Sequence, residues 1–110
     1  MNEPQLILVT LSHLQARQFC DVQGIEYSKV VSFATDNQIM PQHRRYLTGQ
    51  DAVVWYGPWT EGRHWKPVVD VVYSLVQSSS IPFEYTAYMY QESIPWPEQI
   101  AERYLRDHHN

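Results

Sequence analysis

Three polar side chains with acid–base or anion-binding chemistry directly follow the first two apolar runs of the sequence. Ser12 and His13 come after the run at residues 6–9, and Asp36 comes after a second run that ends at Ala34. A histidine near a carboxylate exchanges protons close to neutral pH, and the free N–H groups at the start of a helix bind anions. The structural interpretation of the first pair is the stronger one: Ser12 caps a helix, and His13 is a solvated residue of its first turn.

The loop at residues 57–64 is the most distinctive loop of the chain. It follows an apolar run, carries glycines at positions 57 and 62, and contains Trp59 and Arg63. A tryptophan in such a loop stacks on a base or anchors a protein partner, and a nearby arginine binds a phosphate or a carboxylate. The alternative is that Trp59 packs as a lid over the edge of the core.

The other reactive residue types favour structural roles. Adjacent arginines such as Arg44 and Arg45 belong to a solvated face more often than to a phosphate site. Cys20 lies in the apolar stripe of a predicted helix, which indicates packing and not nucleophilic chemistry. The pair His108 and His109 lies near the end of the chain and lacks the further fixed ligands that a metal needs. We therefore predict no metal site and assign no catalytic residue.

Standard cofactor and nucleophile motifs are absent from the sequence. The four glycines form neither Gly-x-Gly-x-x-Gly nor a phosphate loop that ends in Gly-Lys-Ser/Thr. The chain also lacks His-Glu-x-x-His, Cys-x-x-Cys and Gly-x-Ser-x-Gly. The sequence therefore identifies no cofactor and leaves open whether the protein is an enzyme.

The first part of the chain predicts a strand, a helix and a second strand. The continuous apolar run at residues 6–9 is typical of a strand buried on both faces. Ser12 followed by Gln15 matches a capping box, and the helix that it opens ends at Gly24. Residues 29–34 are β-branched and apolar, and they predict a second strand that a right-handed crossover places parallel to the first.

The second part predicts two more strands and a helix between them. Residues 52–56 form the third strand. Pro67 and the apolar stripe that follows it predict a helix over residues 66–77, although the many valines leave a strand as the alternative. Alternation over residues 83–90 predicts a half-buried strand at the edge of the sheet. Two further helical segments are predicted, at residues 38–47 and from about Pro97 onward.

This order of elements predicts one α/β domain over residues 1–110. We expect a three-layer sandwich with a short, mostly parallel sheet of about four strands and helices on both faces, in a minimal flavodoxin-like or Rossmann-like form. Ligands of such sheets bind beyond the carboxyl ends of the strands. The expected binding residues are therefore those that follow the strands: Ser12, His13, Asp36, Gly57, Trp59 and Arg63.

Composition limits the classes of partner and compartment. The chain has 110 residues, 44% of them hydrophobic and 14% aromatic, which is typical of a domain with a packed core. Its formal net charge of −4 disfavours nucleic acid as the partner. A single cysteine excludes an intramolecular disulfide and favours a reducing compartment. No leader pattern or membrane-length apolar run is evident, so we expect a cytoplasmic protein without a membrane partner.

Two classes of function remain. The first is a small non-enzymatic binding or regulatory module, such as an accessory protein of a mobile element, which acts through its aromatic loops on a protein partner or as a homo-oligomer. The alternative is an enzyme or sensor that binds a small anionic ligand, such as a nucleotide, at the carboxyl edge of the sheet. The absence of catalytic motifs favours the first, and the expected fold favours the second.

Overall fold

A computed structural model describes residues 5–37, 51–81 and 85–89, and within them the chain forms one all-parallel sheet. The strands are β1 (Leu6–Thr10), β2 (Val30–Ala34), β3 (Ala52–Tyr56) and β4 (Thr86–Met89). Helix α1 (His13–Gln23) follows β1, helix α2 (Trp65–Ser78) follows β3, and single 3₁₀ turns span Tyr27–Lys29 and Trp59–Glu61. The prediction of an α/β fold with a parallel sheet of about four strands is confirmed.

The strands lie in the order β2-β1-β3-β4. β1 and β3 are central, and Leu8 and Val54 are direct partners in their register. β4 is at one edge of the described sheet, as its alternating sequence predicts; Ala87 and Met89 are buried, while Tyr88 is exposed. Every residue of β1 and β3 is buried, because strands at the centre of a parallel sheet are covered on both faces.

The core consists of two clusters that draw on alternate residues of the strands. Leu6 and Leu8 pack with Phe19 of α1, and we call this group the cluster of α1. Ile7 and Val9 pack with Val68 of α2, and we call this group the cluster of α2. Successive side chains of a strand point to opposite faces of a sheet, so β1 contributes to both clusters. The described part of the chain is thus a small α/β sandwich.

Helix α1 begins and ends where the sequence predicts. The Gln15 N–H donates to Ser12 Oγ over 3.2 Å, and Gly24 ends the helix in the left-handed region at a φ of 73°. The predicted capping box is only half formed. Its second bond requires Gln15 Oε1 as acceptor, and this atom is buried with no hydrogen-bond partner among the contacts that the structure describes.

The segment after Pro67 is a helix, so the strand alternative is wrong. Val68 and Val72 are fully buried, and Asp70 between them is exposed. A strand would place all three side chains on one face, because its side chains repeat every two residues. A helix separates them, and its burial pattern decides against the β propensity of valine.

Two sequence boundaries differ from the structure or lie outside it. Lys29 was predicted to open the second strand, but it ends a 3₁₀ turn in which its N–H donates to the Glu26 carbonyl over 3.0 Å. β2 therefore starts at Val30. The predicted helices at residues 38–47 and after Pro97 fall outside the described residues.

Neither α1 nor α2 is long and apolar enough to cross a membrane, and the described residues contain no other helix that is.

Candidate functional site

The strand order creates a crevice at the carboxyl ends of β1 and β3. From β1 the chain passes through α1 to β2 on one side, and from β3 it passes through α2 to β4 on the other. The two connections diverge between neighbouring strands, and this is where open parallel sheets bind their ligands. The residues directly after β1 and β3 therefore form the candidate site.

Thr35, the residue after β2, joins the end of that strand to the loop that follows β3. Its N–H donates to the Thr10 carbonyl over 2.9 Å, and its hydroxyl donates to the Trp59 carbonyl over 2.6 Å. Its own carbonyl accepts from the His64 N–H over 2.7 Å, and the residue is fully buried. Because β1 lies between β2 and β3, the loop at residues 57–64 crosses the carboxyl end of β1.

Two glycines allow this crossing for different reasons. Gly57 has a φ of 68°, which side-chain-bearing residues rarely adopt, and its N–H donates to the Met89 carbonyl over 2.8 Å. Gly62 has an ordinary φ, but a Cβ there would lie 2.5 Å from the Thr35 carbonyl carbon and would also overlap the Thr35 hydroxyl. Gly57 therefore makes the turn out of β3, and Gly62 permits the close approach to Thr35.

The loop forms the wall of a cleft of about 460 Å³ at this edge. The described residues that line it are Gly57, Pro58, Trp59, Thr60 and Glu61, and we call it the carboxyl-edge cleft. Its volume lies within the range of roughly 300–1,000 Å³ that is typical of small-molecule sites. The sequence predicts two of these residues, Gly57 and Trp59, as binding residues.

Trp59 both lines the cleft and packs on the core. Its ring centroid lies 4.8 Å from that of Trp55 and 6.5 Å from that of Trp65, and its side chain is partly buried against the cluster of α2. The packing of its ring on Trp55 agrees with the interpretation of Trp59 as a lid. The interpretation of Trp59 as a contact residue stays a prediction.

Ser12 and His13, the first two predicted binding residues, make contacts within the fold. Ser12 caps α1 as expected. His13 is partly buried, with Nδ1 2.9 Å from Ser32 Oγ and 3.4 Å from the Tyr27 hydroxyl. His13 is therefore only partly solvated, because its Nδ1 lies within hydrogen-bond distance of a hydroxyl on β2. The structure records no contact between His13 and Asp36 within the described residues.

Asp36 and Arg63 are exposed at the same edge. The Asp36 N–H donates to the Leu11 carbonyl over 3.0 Å, which holds its backbone beside the end of β1. Arg63 follows the 3₁₀ turn of the loop and is not among the described residues that line the cleft. Arg44 and Arg45 lie outside the described residues.

The sequence does not predict Pro58, Thr60 and Glu61 of the lining, nor Gln15, which lies behind Gly57. Gln15 Oε1 lies 3.6 Å from the position that a Cβ on Gly57 would take, and it is buried without a partner in the described part of the chain. An acceptor in that state costs about 1–3 kcal/mol unless a donor reaches it. Its position three residues after Ser12 indicated only a cap, so the sequence gave no signal for this role.

Cys20 has the structural role that its position predicts. The side chain is fully buried in the cluster of α1. Burial, and secondarily the charge of Asp21, raises the pKa of the thiol from 9.0 to about 11, so it is a neutral packing group at physiological pH. The described residues contain no group of three histidine, cysteine or carboxylate side chains placed to hold a metal ion.

The fold and the site define a class: a small parallel α/β domain with a cleft at the point where its strand connections diverge. Comparisons of the chain with protein-family models, with curated proteins and with solved structures give no match.

Proposed function

We propose that this domain is a binding module that takes a small molecule in the carboxyl-edge cleft. The observation that carries the proposal is the position of the cleft, directly after β3 at the divergence between β1 and β3. The proposal places the function in the cytoplasm, where a lone buried cysteine stays reduced.

The local structure supports binding more than bond chemistry. Thr35 fixes the cleft loop to the end of β2 through its hydroxyl and its carbonyl, so the wall is pre-formed. Trp59 supplies an apolar face, and Gln15 supplies a buried acceptor beside Gly57. The titratable His13 is engaged with Ser32, away from the lining residues. A sensor or regulatory role follows from such a site.

A fragment screen followed by ¹H–¹⁵N correlation spectroscopy tests this proposal. The fragments should include planar anions, neutral amides and planar cations of similar size. We expect at least one class to shift the backbone resonances of Gly57, Trp59, Thr60 and Glu61 together with the side-chain amide of Gln15. If the binding fragments shift other parts of the chain and leave these resonances unchanged, the proposal is wrong.

A second candidate function rests on an exposed aromatic patch, which we define as Trp55, Tyr73 and Tyr88. Trp55 is buried, and its ring lies 5.6 Å from that of Tyr73 and 6.1 Å from that of Tyr88. The two tyrosines are 50% and 48% exposed, and exposed tyrosines are typical of protein interfaces. This candidate keeps the expected regulatory or accessory role, with a second copy of the chain as the partner.

Sedimentation velocity tests the aromatic patch without any added partner. If the patch pairs two copies, Tyr73→Ser should weaken self-association, whereas Leu14→Ser should not. Leu14 is a suitable control because it is 66% exposed on α1, away from the cluster of α2. A wild-type protein that stays monomeric at high concentration contradicts this candidate.

A further inference from the structure

We propose that the ligand of the carboxyl-edge cleft is a planar cation with N–H donors, of the amidinium or guanidinium class. This inference rests on the proposed function, since it names the ligand class of the same cleft. The fold type suggests an anionic ligand at this edge, and the proposed ligand has the opposite charge. Three features of the described residues carry the inference: the charge of Glu61, the backbone N–H groups that are already used within the fold, and the side chains that suit a flat cation.

The charge of the lining is negative. Glu61 is exposed, and it is the single ionisable side chain among the described residues that line the cleft. A carboxylate attracts a cation and repels an anion, and both effects grow when a ligand displaces water from the cleft. The formal net charge of −4 adds to the preference.

The backbone of the loop is poorly suited to hold an anion. Anion sites in parallel α/β folds use free N–H groups of the loop after a strand. Here the Gly57 N–H donates to Met89, the Glu61 N–H donates to Pro58 over 3.0 Å, and the Gly62 N–H donates to Trp59 over 3.3 Å. Pro58 has no N–H at all. Two of the four backbone N–H groups on the described lining residues, those of Gly57 and Glu61, are therefore already used within the fold.

The remaining groups suit a flat cation. Trp59 lines the cleft, and indole is the side chain with the most favourable cation–π interaction. Gln15 Oε1, which has no donor among the described residues, lies 3.6 Å from the position that a Cβ on Gly57 would take, and Gly57 lines the cleft. An amidinium group carries its charge and several N–H donors in one plane, so it can pair with Glu61 and stack on Trp59 at the same time.

Three probes of nearly equal shape test the ligand class: benzamidinium, benzamide and benzoate. We expect benzamidinium to bind with the highest affinity and to shift the resonances of residues 57–61. Glu61→Gln should weaken benzamidinium about tenfold, which corresponds to about 1.4 kcal/mol, and should leave benzamide nearly unchanged. Asp70→Asn is the matched control, because it removes an exposed carboxylate of α2 that does not line the cleft.

The outcomes separate this inference from the proposed function. Benzoate or benzamide binding at residues 57–61 as tightly as benzamidinium would overturn the ligand class and would leave the cleft as a binding site. If none of the three probes shifts the resonances of residues 57–61 while another fragment does, the ligand class is likewise wrong and the cleft remains a binding site. If no fragment of any class shifts them, the ligand class and the proposed function both fail.

Discussion

The hydroxyl of Thr35 donates to the carbonyl of Trp59 over 2.6 Å and so links the end of β2 to the wall of the cleft. Both residues lie on loops that are far apart in the sequence. The bond fixes the backbone of the loop at Trp59, a residue that lines the cleft. The wall of the cleft is therefore positioned by a strand to which it is not directly connected.

Thr35→Val should lower the free energy of unfolding by about 1 kcal/mol, because it keeps the shape of the side chain and leaves the Trp59 carbonyl with only the longer bond from the Gly62 N–H, over 3.3 Å. Thr60→Val is the control, since Thr60 is exposed in the same loop. Urea denaturation followed by tryptophan fluorescence measures both. Equal stability of the two variants would contradict the assigned role of Thr35.

Gly62→Ala should destabilise the fold more than Gly24→Ala. At Gly62 a Cβ would meet the backbone of Thr35 at 2.5 Å, so the loop must shift, with a cost of about 1–3 kcal/mol or more. At Gly24 a Cβ would meet nothing within 4 Å, and the cost is confined to a φ of 73°, about 1 kcal/mol. Thermal unfolding of the two variants compares steric and backbone strain directly. The reverse order of stability would show that the loop does not approach Thr35 this closely.

Gln15→Leu should stabilise the unliganded domain by roughly 1 kcal/mol, because it removes a buried acceptor that has no donor in the described part of the chain. The same change should weaken the ligand of the carboxyl-edge cleft. Gln18→Leu, at an exposed position of α1, is the control and should do neither. Thermal unfolding and a binding isotherm on each variant measure both effects. A Gln15→Leu variant that loses stability and binds normally would remove Gln15 from the site.

The pH dependence of stability should contain a contribution from Cys20. Because the folded protein raises the pKa of this thiol from 9.0 to about 11, the folded state holds the proton more tightly than the unfolded state. The resulting stability is complete below pH 9.0 and is lost as the pH rises toward 11, by up to about 3 kcal/mol. Cys20→Ala has no thiol to ionise, so its free energy of unfolding should rise relative to that of the wild type across that pH range. A constant difference between the two proteins would contradict the prediction.

Local sequence patterns are sufficient for most of the described fold. β3 has the predicted bounds because its apolar run is continuous, and Leu8 and Val54 are direct partners in neighbouring central strands. Helix α1 is defined by its own cap at Ser12 and its glycine at position 24. The structure was needed to place the start of β2 at Val30 and to decide the segment after Pro67, where valine favours strands while the position of Asp70 requires a helix.

The site was less predictable because its contacts are long-range. Trp59 and Gly57 were found from their place after a strand, which is a local rule. The close contact between Thr35 and Gly62 was not predicted, since it depends on which strands are neighbours and on how the loop crosses β1. The ring of His13 likewise lies near Ser32, nineteen residues away, and no local pattern indicates that pairing.

Electron density at the carboxyl edge is the most direct test of the central claim that the cleft binds a small molecule. Crystals should be examined as grown from the purified protein and after soaking with the tightest-binding fragment. The account predicts ligand density between the Trp59 indole and Gly57, within reach of Glu61 and Gln15 Oε1. A tightest-binding fragment that is seated instead against Tyr73 and Tyr88, with the carboxyl-edge cleft empty, would contradict it.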